Sequence, residues 1–343
     1  MKVIFLGAGA WGTAMAMHAA KNPLCSEVTL WSRSPELAEQ IQISRSNERY
    51  LKGIKLPDSL KVTASWSDAF QDAQQDTLVV LATPVAGLKE MVSNLLKTND
   101  VPRNWVWLCK GLEPDTAAMP HQVIERELSK GQQAIAKNVR LGVLSGPSFA
   151  MEVAKEMPCA LTVASEEEEL VLLTQKVFHF GRMRIYGSDD VVGVELGGAI
   201  KNVLAIATGI GDGLGLGLNA RAALLTRGLA EMMRLIIAMG GKPETAMGLT
   251  GVGDLILTAT GDLSRNRQVG MQLASGKSLT EVLANLGHVA EGVRCAQAVS
   301  DLANDKKIDM PICQMVSEVL FKGVNPVDAV KLLMGRDPKL EAH

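Results

Sequence analysis

The chain runs to 343 residues, 47% hydrophobic and 21% charged, with a formal net charge of -2. This is the composition of a globular protein of about two domains, and with neither sign in excess and no basic run it argues against a nucleic-acid or membrane-surface role. Five scattered cysteines without a CxxC read as reduced thiols, and five histidines without HExxH or a cysteine at ligand spacing imply no metal site.

Val3-Ile4-Phe5-Leu6 is an uncharged apolar run, followed at once by Gly7-Ala8-Gly9-Ala10-Trp11-Gly12 and then by the helix formers Thr13 to Ala20. Strand, GxGxxG and helix in that order form the context of a dinucleotide fingerprint. Gly7 lets the chain turn off the strand, Gly9 opens the backbone to a pyrophosphate, and Gly12 lets the helix lie close to the strand. The helix start offers free N–H groups and a positive dipole end. A strand this close to the first residue leaves no room for a signal peptide. The longest apolar stretches meet a charge before they could span a bilayer. A cytoplasmic protein is expected.

Glu27 to Trp31 alternates as a second strand. Such strands often end in Asp or Glu for the ribose hydroxyls of NAD. This one ends Trp31-Ser32-Arg33, which tilts the cofactor towards NADP(H), with NAD(H) possible. The plainer alternative is a surface arginine on a turn. Pro35 to Ile43 reads as a helix, Leu60 to Thr63 and Thr77 to Ala82 as strands, and Val85 to Lys97 as a helix. Trp105 to Cys109 is another strand, with Lys110-Gly111 just past the carboxyl end where ligands of doubly wound sheets bind. Val139 to Leu144 runs into the loop Ser145-Gly146-Pro147-Ser148 and a helix from Phe149 to Lys155. Ala160 to Ala164 and Met183 to Tyr186 read as the last strands, with a helix from Glu167 to Phe180 between them. The acidic run Glu166 to Glu169 suits that helix start. The alternation predicts an α/β fold: an N-terminal Rossmann-like, mostly parallel sheet covered on both faces. From Asp189 only helical periodicity remains, so a dinucleotide-binding domain over 1–188 and an all-helical substrate domain over 189–343 are expected.

The helix Val191 to Gly209 holds two ionisable residues, Glu195 and Lys201. Apolar neighbours and Gly197-Gly198 surround Lys201. Burial there would disfavour its ammonium and suit it to proton exchange near neutral pH; a lysine that snorkels to solvent is the equal alternative. Ser264-Arg265-Asn266-Arg267 opens a helix with Ser264 as N-cap. Two arginines in a first turn oppose the dipole unless an anion sits there, and a phosphate group fits; a solvated basic turn is the plainer alternative. Asp254, at the end of Gly248-Leu249-Thr250-Gly251-Val252-Gly253, either caps the next helix or orients a lysine. Arg227, Glu231 and Arg234 share a helical face and read as a solvated stripe.

Together these segments resemble the NAD(P)-dependent sn-glycerol-3-phosphate dehydrogenases of the bacterial soluble type, over about residues 2–335. The motifs are Gly7-Ala8-Gly9-Ala10-Trp11-Gly12-Thr13-Ala14, Cys109-Lys110-Gly111-Leu112-Glu113, Leu144-Ser145-Gly146-Pro147-Ser148-Phe149-Ala150 and Glu195-Leu196-Gly197-Gly198-Ala199-Ile200-Lys201-Asn202. Gly251-Val252-Gly253-Asp254-Leu255, Ser264-Arg265-Asn266-Arg267 and Val289-Ala290-Glu291-Gly292 follow. The resemblance implies reversible reduction of dihydroxyacetone phosphate to sn-glycerol 3-phosphate, a phospholipid precursor, by a cytoplasmic homodimer. It implies Lys201 as proton donor or acceptor. Lys110, Gly146, Ser148, Lys201, Asp254, Ser264, Arg265 and Asn266 would meet the substrate. Gly7, Gly9, Ala10, Trp11, Gly12, Arg33, Tyr50, Lys110, Ala150, Arg265, Val289 and Glu291 would meet the cofactor. Many members carry Ser at the position of Ala10, and Ser or Thr at that of Cys109. Rival readings are another lysine-using Rossmann reductase of hydroxy- or 2-oxoacids, which Ser264 to Arg267 disfavours, and a non-catalytic NADPH sensor, which needs no proton donor.

Overall fold

The computed structural model describes residues 1–98, 100–130, 138–286, 290–338 and 340. The chain divides into two compact units, Met1–Glu113 with Ala118–Glu195, and Pro114–Ala117 with Leu196–His343.

The first unit runs β1 (Lys2–Leu6), α1 (Ala10–Ala19), β2 (Glu27–Trp31), α2 (Pro35–Ser44), β3 (Leu60–Thr63), α3 (Trp66–Phe70), β4 (Leu78–Leu81), α4 (Leu88–Leu95), β5 (Asn104–Trp107), α5 (Pro120–Leu128), β6 (Arg140–Ser145), α6 (Ala150–Ala154), β7 (Cys159–Ala164), α7 (Glu168–Phe178) and β8 (Met183–Ser188). The strands form one sheet in the order β3-β2-β1-β4-β5-β6-β7-β8. Side chains alternate across a strand, so each buried strand feeds two cores. Val3, Phe5, Leu30, Val80 and Val106 pack on one face with Met15 of α1, Ile41 of α2 and Phe178 of α7. Ile4, Leu6, Val79, Leu81, Trp105 and Trp107 pack on the other with Met91 of α4 and Ile124 of α5. Both faces are covered, as the near-continuous apolar strands demand.

Besides the helices α3 and α5, which the sequence pattern did not announce, two details depart from it. α1 begins at Ala10, inside the fingerprint, rather than at Thr13. β7 runs antiparallel to β6, pairing Leu144 with Val163, while the remaining pairs are parallel. A parallel return needs a crossover of a dozen or more residues, usually a full helix. Residues 146–158 are long enough for a crossover but hold a helix of only 5 residues in place of a full one, and the chain returns antiparallel.

The second unit is helical, with no strand among the described residues. α8 (Val191–Gly213), which starts just before the division, is followed by α9 (Gly217–Ala238), α10 (Pro243–Ala246), α11 (Asp254–Thr260), α12 (Arg265–Ala274), α13 (Leu279–Leu286), α14 (Glu291–Asp305), α15 (Pro311–Phe321) and α16 (Pro326–Met334). α8 is long and apolar enough to cross a membrane by composition, yet 89% of its most apolar window is buried in the fold. It is the core helix, and burying a side chain such as Ile200 or Leu204 stabilises by roughly 1.5–3 kcal/mol. A Cβ at Gly209 would overlap the Arg267 carbonyl oxygen, and one at Gly270 would overlap that of Ile206. α8 and α12 therefore cross backbone to backbone, which fixes the start of α12 beside the helix that carries Lys201.

Glu231 corrects the solvated stripe expected on α9. It is 1% exposed and accepts the backbone N–H groups of Ile312 at 2.7 Å and Cys313 at 3.1 Å. Pro311 brings no N–H to the first position of α15, so these are the first donors the helix must satisfy. Burial pushes the Glu231 carboxyl from 4.5 up to about 7, against the two N–H groups and Arg234. A folded pKa above the unfolded one means the native state holds this proton more tightly. The stability it confers is full below about pH 4.5 and is lost as pH rises through 7, a swing of roughly 3 kcal/mol. Urea unfolding of wild type and Glu231→Gln at pH 5.5 and 8 checks this: the wild type should lose stability relative to the variant. Parallel profiles would refute the assignment.

Candidate active site

In the first unit, β1 delivers the chain to Gly7, whose N–H donates to the Trp31 carbonyl at 3.0 Å. Gly7 adopts φ +128°, and a Cβ there would press on the Ala82 carbonyl. A Cβ at Gly12 would overlap the Gly7 carbonyl oxygen, so α1 can lie this close to the strand only with glycine there. At Gly9 a Cβ would meet nothing within 4 Å, which is open space of the kind a pyrophosphate needs. Gly9 is also the N-cap of α1 and brings no capping side chain, so the first-turn N–H groups of Ala10 and Trp11 look for an anion. The Trp11 Nε1 is buried with no partner among the described residues. Open cradle, uncapped helix start and orphaned donor fit a dinucleotide.

Arg33 lies past the end of β2. Its side chain is 82% exposed, and its guanidinium is 4.0 Å from Glu90, itself 62% exposed, a pair of little strength. It therefore remains available to an anion. Tyr50 is half-buried, with the Arg49 guanidinium 5.3 Å from its ring centre. Lys110 follows β5, and its Nζ donates to the Gly146 carbonyl at 2.9 Å. The Ser148 hydroxyl donates to the same oxygen at 3.0 Å. These three residues, expected on the substrate, thus meet at the ends of β5 and β6. Ala150 opens α6 next to them.

The second unit assembles its own group. Lys201 is 7% exposed on α8, so the snorkelling alternative is excluded. Its Nζ donates to Asp254 Oδ1 at 2.6 Å and to Thr258 Oγ1 at 2.9 Å, and the Thr258 hydroxyl lies 3.3 Å from the same carboxylate oxygen. Asp254 makes no side-chain cap on α11, so of its two sequence readings the fold selects the lysine partner. Buried carboxylate and buried ammonium compensate one another, and each would be costly alone. Ser264 caps α12, accepting the Arg267 N–H at 3.3 Å. Arg267 is bound to Asp212 at 2.7 Å and Asp262 at 3.2 Å. Arg265 is exposed, and no ion pair reaches it among the described residues. Only one of the two arginines thus waits for an anion.

The Asn266 amide is committed at both ends: its Nδ2 donates to Asn202 Oδ1 at 2.8 Å, and its Oδ1 accepts the Gly292 N–H at 3.0 Å. What Asn266 can offer a ligand is its first-turn backbone N–H. Glu291 opens α14 beside this tie. Burial pushes its carboxyl up, while Arg294, Arg265 and Lys201 act in the opposite direction. Glu291 therefore belongs to the same electrostatic neighbourhood as Lys201 and Arg265. Val289 lies outside the described residues. Sequence reasoning missed Thr258 and Asn202. Thr258 sits one turn after Asp254 on the same face, a spacing that could have found it.

Comparison with known proteins matches both halves of this chain to one family. The N-terminal model of NAD-dependent glycerol-3-phosphate dehydrogenase matches residues 2–171, and the C-terminal model matches 190–331. The glycerol-3-phosphate dehydrogenase [NAD(P)+] of Polynucleobacter asymbioticus is 61% identical over 341 residues, 99% of this chain and 100% of that protein. The enzyme of the same name from Ralstonia nicotianae is 57% identical over 343 residues, 100% of this chain and 99% of that one. The crystal structure of glycerol-3-phosphate dehydrogenase from Coxiella burnetii superposes with a TM-score of 0.90 at 37% identity, covering 98% of this chain and 99% of that one. With both family models matched and the relatives aligned end to end, this chain belongs to the NAD(P)-dependent glycerol-3-phosphate dehydrogenase family.

Proposed function

We propose that this chain reduces dihydroxyacetone phosphate to sn-glycerol 3-phosphate, reversibly, with NADPH as the preferred cofactor and Lys201 as the proton donor. Residues 1–188 would serve as the cofactor domain and 189–343 as the substrate domain. The observation that carries the reading is the buried Lys201–Asp254–Thr258 group near an arginine left available at a capped helix start.

A bound reduced nicotinamide supplies the hydride to the carbonyl carbon. Gly7, Gly9 and the start of α1 hold its pyrophosphate, with Ala10 and Trp11 beside it. Arg33 would meet the 2′-phosphate, with Tyr50 and Ala150 on the same unit also offered to the cofactor, and the family resemblance adds Glu291 to that set. Lys201 Nζ gives its proton to the carbonyl oxygen as that oxygen gains negative charge. Asp254 and Thr258 aim the ammonium, and Lys110 adds positive charge for the developing alkoxide. Gly146 and Ser148 shape the substrate end. The phosphate is held by Arg265 and by the first-turn N–H groups of α12 behind the Ser264 cap. In the reverse direction Lys201 accepts the proton from the hydroxyl. From the family resemblance of the sequence we carry over a cytoplasmic homodimer that feeds glycerophospholipid synthesis.

The test is loss of reduced-nicotinamide absorbance with dihydroxyacetone phosphate, run separately with NADPH and NADH. Turnover should favour NADPH. Arg33→Ala should lower kcat/KM for NADPH about tenfold, the scale of one exposed charged contact, and leave NADH within about twofold. An unchanged cofactor ratio would remove Arg33 from the cofactor site. No turnover from folded protein that binds NADPH would remove the substrate.

A further inference from the structure

We propose that Asn47 is a positioning residue that sets the orientation of the Ala8–Gly9 peptide in the dinucleotide-binding loop. The proposal rests on the reading of that loop as the cofactor site. Asn47 is fully buried, and its Nδ2 donates to the Ala8 carbonyl at 2.9 Å and to the Thr13 hydroxyl at 2.9 Å. A carbonyl oxygen can only accept, so the amide nitrogen, and not the amide oxygen, must face Ala8. The two bonds join a distant segment to the loop between Gly7 and Gly9 and to the first turns of α1.

Asn47 is itself held firmly. Its own carbonyl accepts the N–H groups of Tyr50 at 3.2 Å and Leu51 at 2.7 Å, and Leu51 is 1% exposed in the core. Just before it, Arg45 ends α2 in a left-handed conformation, and its guanidinium donates to the carbonyls of Pro57 and Leu60. The donor thus hangs from a closed, well-tied turn.

A peptide unit is planar and trans, so its C=O and N–H point in opposite directions. With the Ala8 oxygen drawn to Asn47, the Gly9 N–H is turned the other way and becomes a fixed donor of the fingerprint. The Asn47 Oδ1 is buried and has no hydrogen-bond partner among the described residues. Such a group lowers stability, so a merely structural staple is a poor account of an amide in this position. The amide is explained by what its nitrogen does to the loop.

The experiment titrates NADPH alone into the full chain by calorimetry, for wild type, Asn47→Leu and Thr13→Val, and measures KM for each substrate. Asn47→Leu should raise the NADPH Kd at least about tenfold, on the scale of a misaligned charged hydrogen bond, and leave KM for dihydroxyacetone phosphate within about twofold. Thr13→Val, which keeps the Ala8 contact, should change the Kd less than about threefold. If Asn47→Leu does not fold, Asn47→Asp keeps the shape without the donor and should give the same loss. A folded Asn47 variant that binds NADPH like wild type overturns the proposal. An equal loss in Thr13→Val overturns the peptide-orientation account. Wild type that fails to bind NADPH overturns the cofactor-site reading itself, which the other outcomes leave standing.

Discussion

Lys201→Ala should lower kcat at least about a hundredfold, the low end for a lost general acid, or about 2.7 kcal/mol of barrier. The same variant should bind NADPH within a few-fold of wild type, because the fingerprint lies in the other unit of the chain. The size follows from burial. Lys201 is 7% exposed, so bulk water is poorly placed to replace its proton. The deletion also leaves Asp254, 1% exposed, without its cation. That second effect threatens stability rather than turnover and has to be separated. Lys201→Met fills the site, and unfolding curves report whether the pocket survives. Thr258→Val supplies the complementary test. It removes one hydrogen-bond partner of Nζ and keeps the proton, so it should cost about tenfold in kcat, the scale of one lost orienting hydrogen bond. Near-normal turnover in a folded Lys201→Met would end the assignment of Lys201 as the proton donor.

The parts of the fold legible in the sequence are those decided by neighbours in the chain. Gly7 and Gly12 are required by a strand–turn–helix crossing built within ten residues, and that crossing forms as the motif implies. Near-continuous apolar strands alternating with helices gave away the sheet and its two covered faces. Strand direction was less accessible, since β7 has the same pattern whether it runs parallel or antiparallel to β6. The site behaves in the same way. An apolar surround and two glycines marked Lys201 as a candidate for burial. Burial considered alone disfavours the ammonium, but Asp254, 53 residues later, favours it, and only the fold brings the carboxylate to 2.6 Å.

Glu231 shows the limit most plainly. Three charged residues at i, i+4 and i+7 are the mark of a solvated face. The donors that draw Glu231 inward belong to Ile312 and Cys313, some 80 residues on, whose N–H groups are orphaned by the start of α15. No local pattern records that need. Asn266 is a related case. The motif Ser264-Arg265-Asn266-Arg267 suggests an anion site, but it does not tell which atoms of Asn266 are available once Asn202 and Gly292 have taken the amide.

The same distinction divides the two arginines of that motif and sets the second large effect. Arg265→Ala should raise KM for dihydroxyacetone phosphate roughly thirtyfold, the scale of a lost charge-assisted phosphate contact. Selectivity over unphosphorylated dihydroxyacetone should fall by a similar factor. Arg265→Lys should recover only part of the loss, because a point charge replaces the planar fork that grips two oxygens. Arg267→Ala should behave differently. Its side chain is 12% exposed and its guanidinium is bound to Asp212, which Arg221 also reaches at 2.6 Å. Removing it leaves a largely buried carboxylate with one partner fewer, so the melting temperature should fall while KM moves little. Steady-state kinetics and thermal unfolding of both variants decide between these roles. If the KM effect follows Arg267, the phosphate is held by the arginine facing Asp212, and the anion site has to be moved one helical face around α12. If neither variant changes KM, the backbone N–H groups behind Ser264 carry the phosphate without either guanidinium.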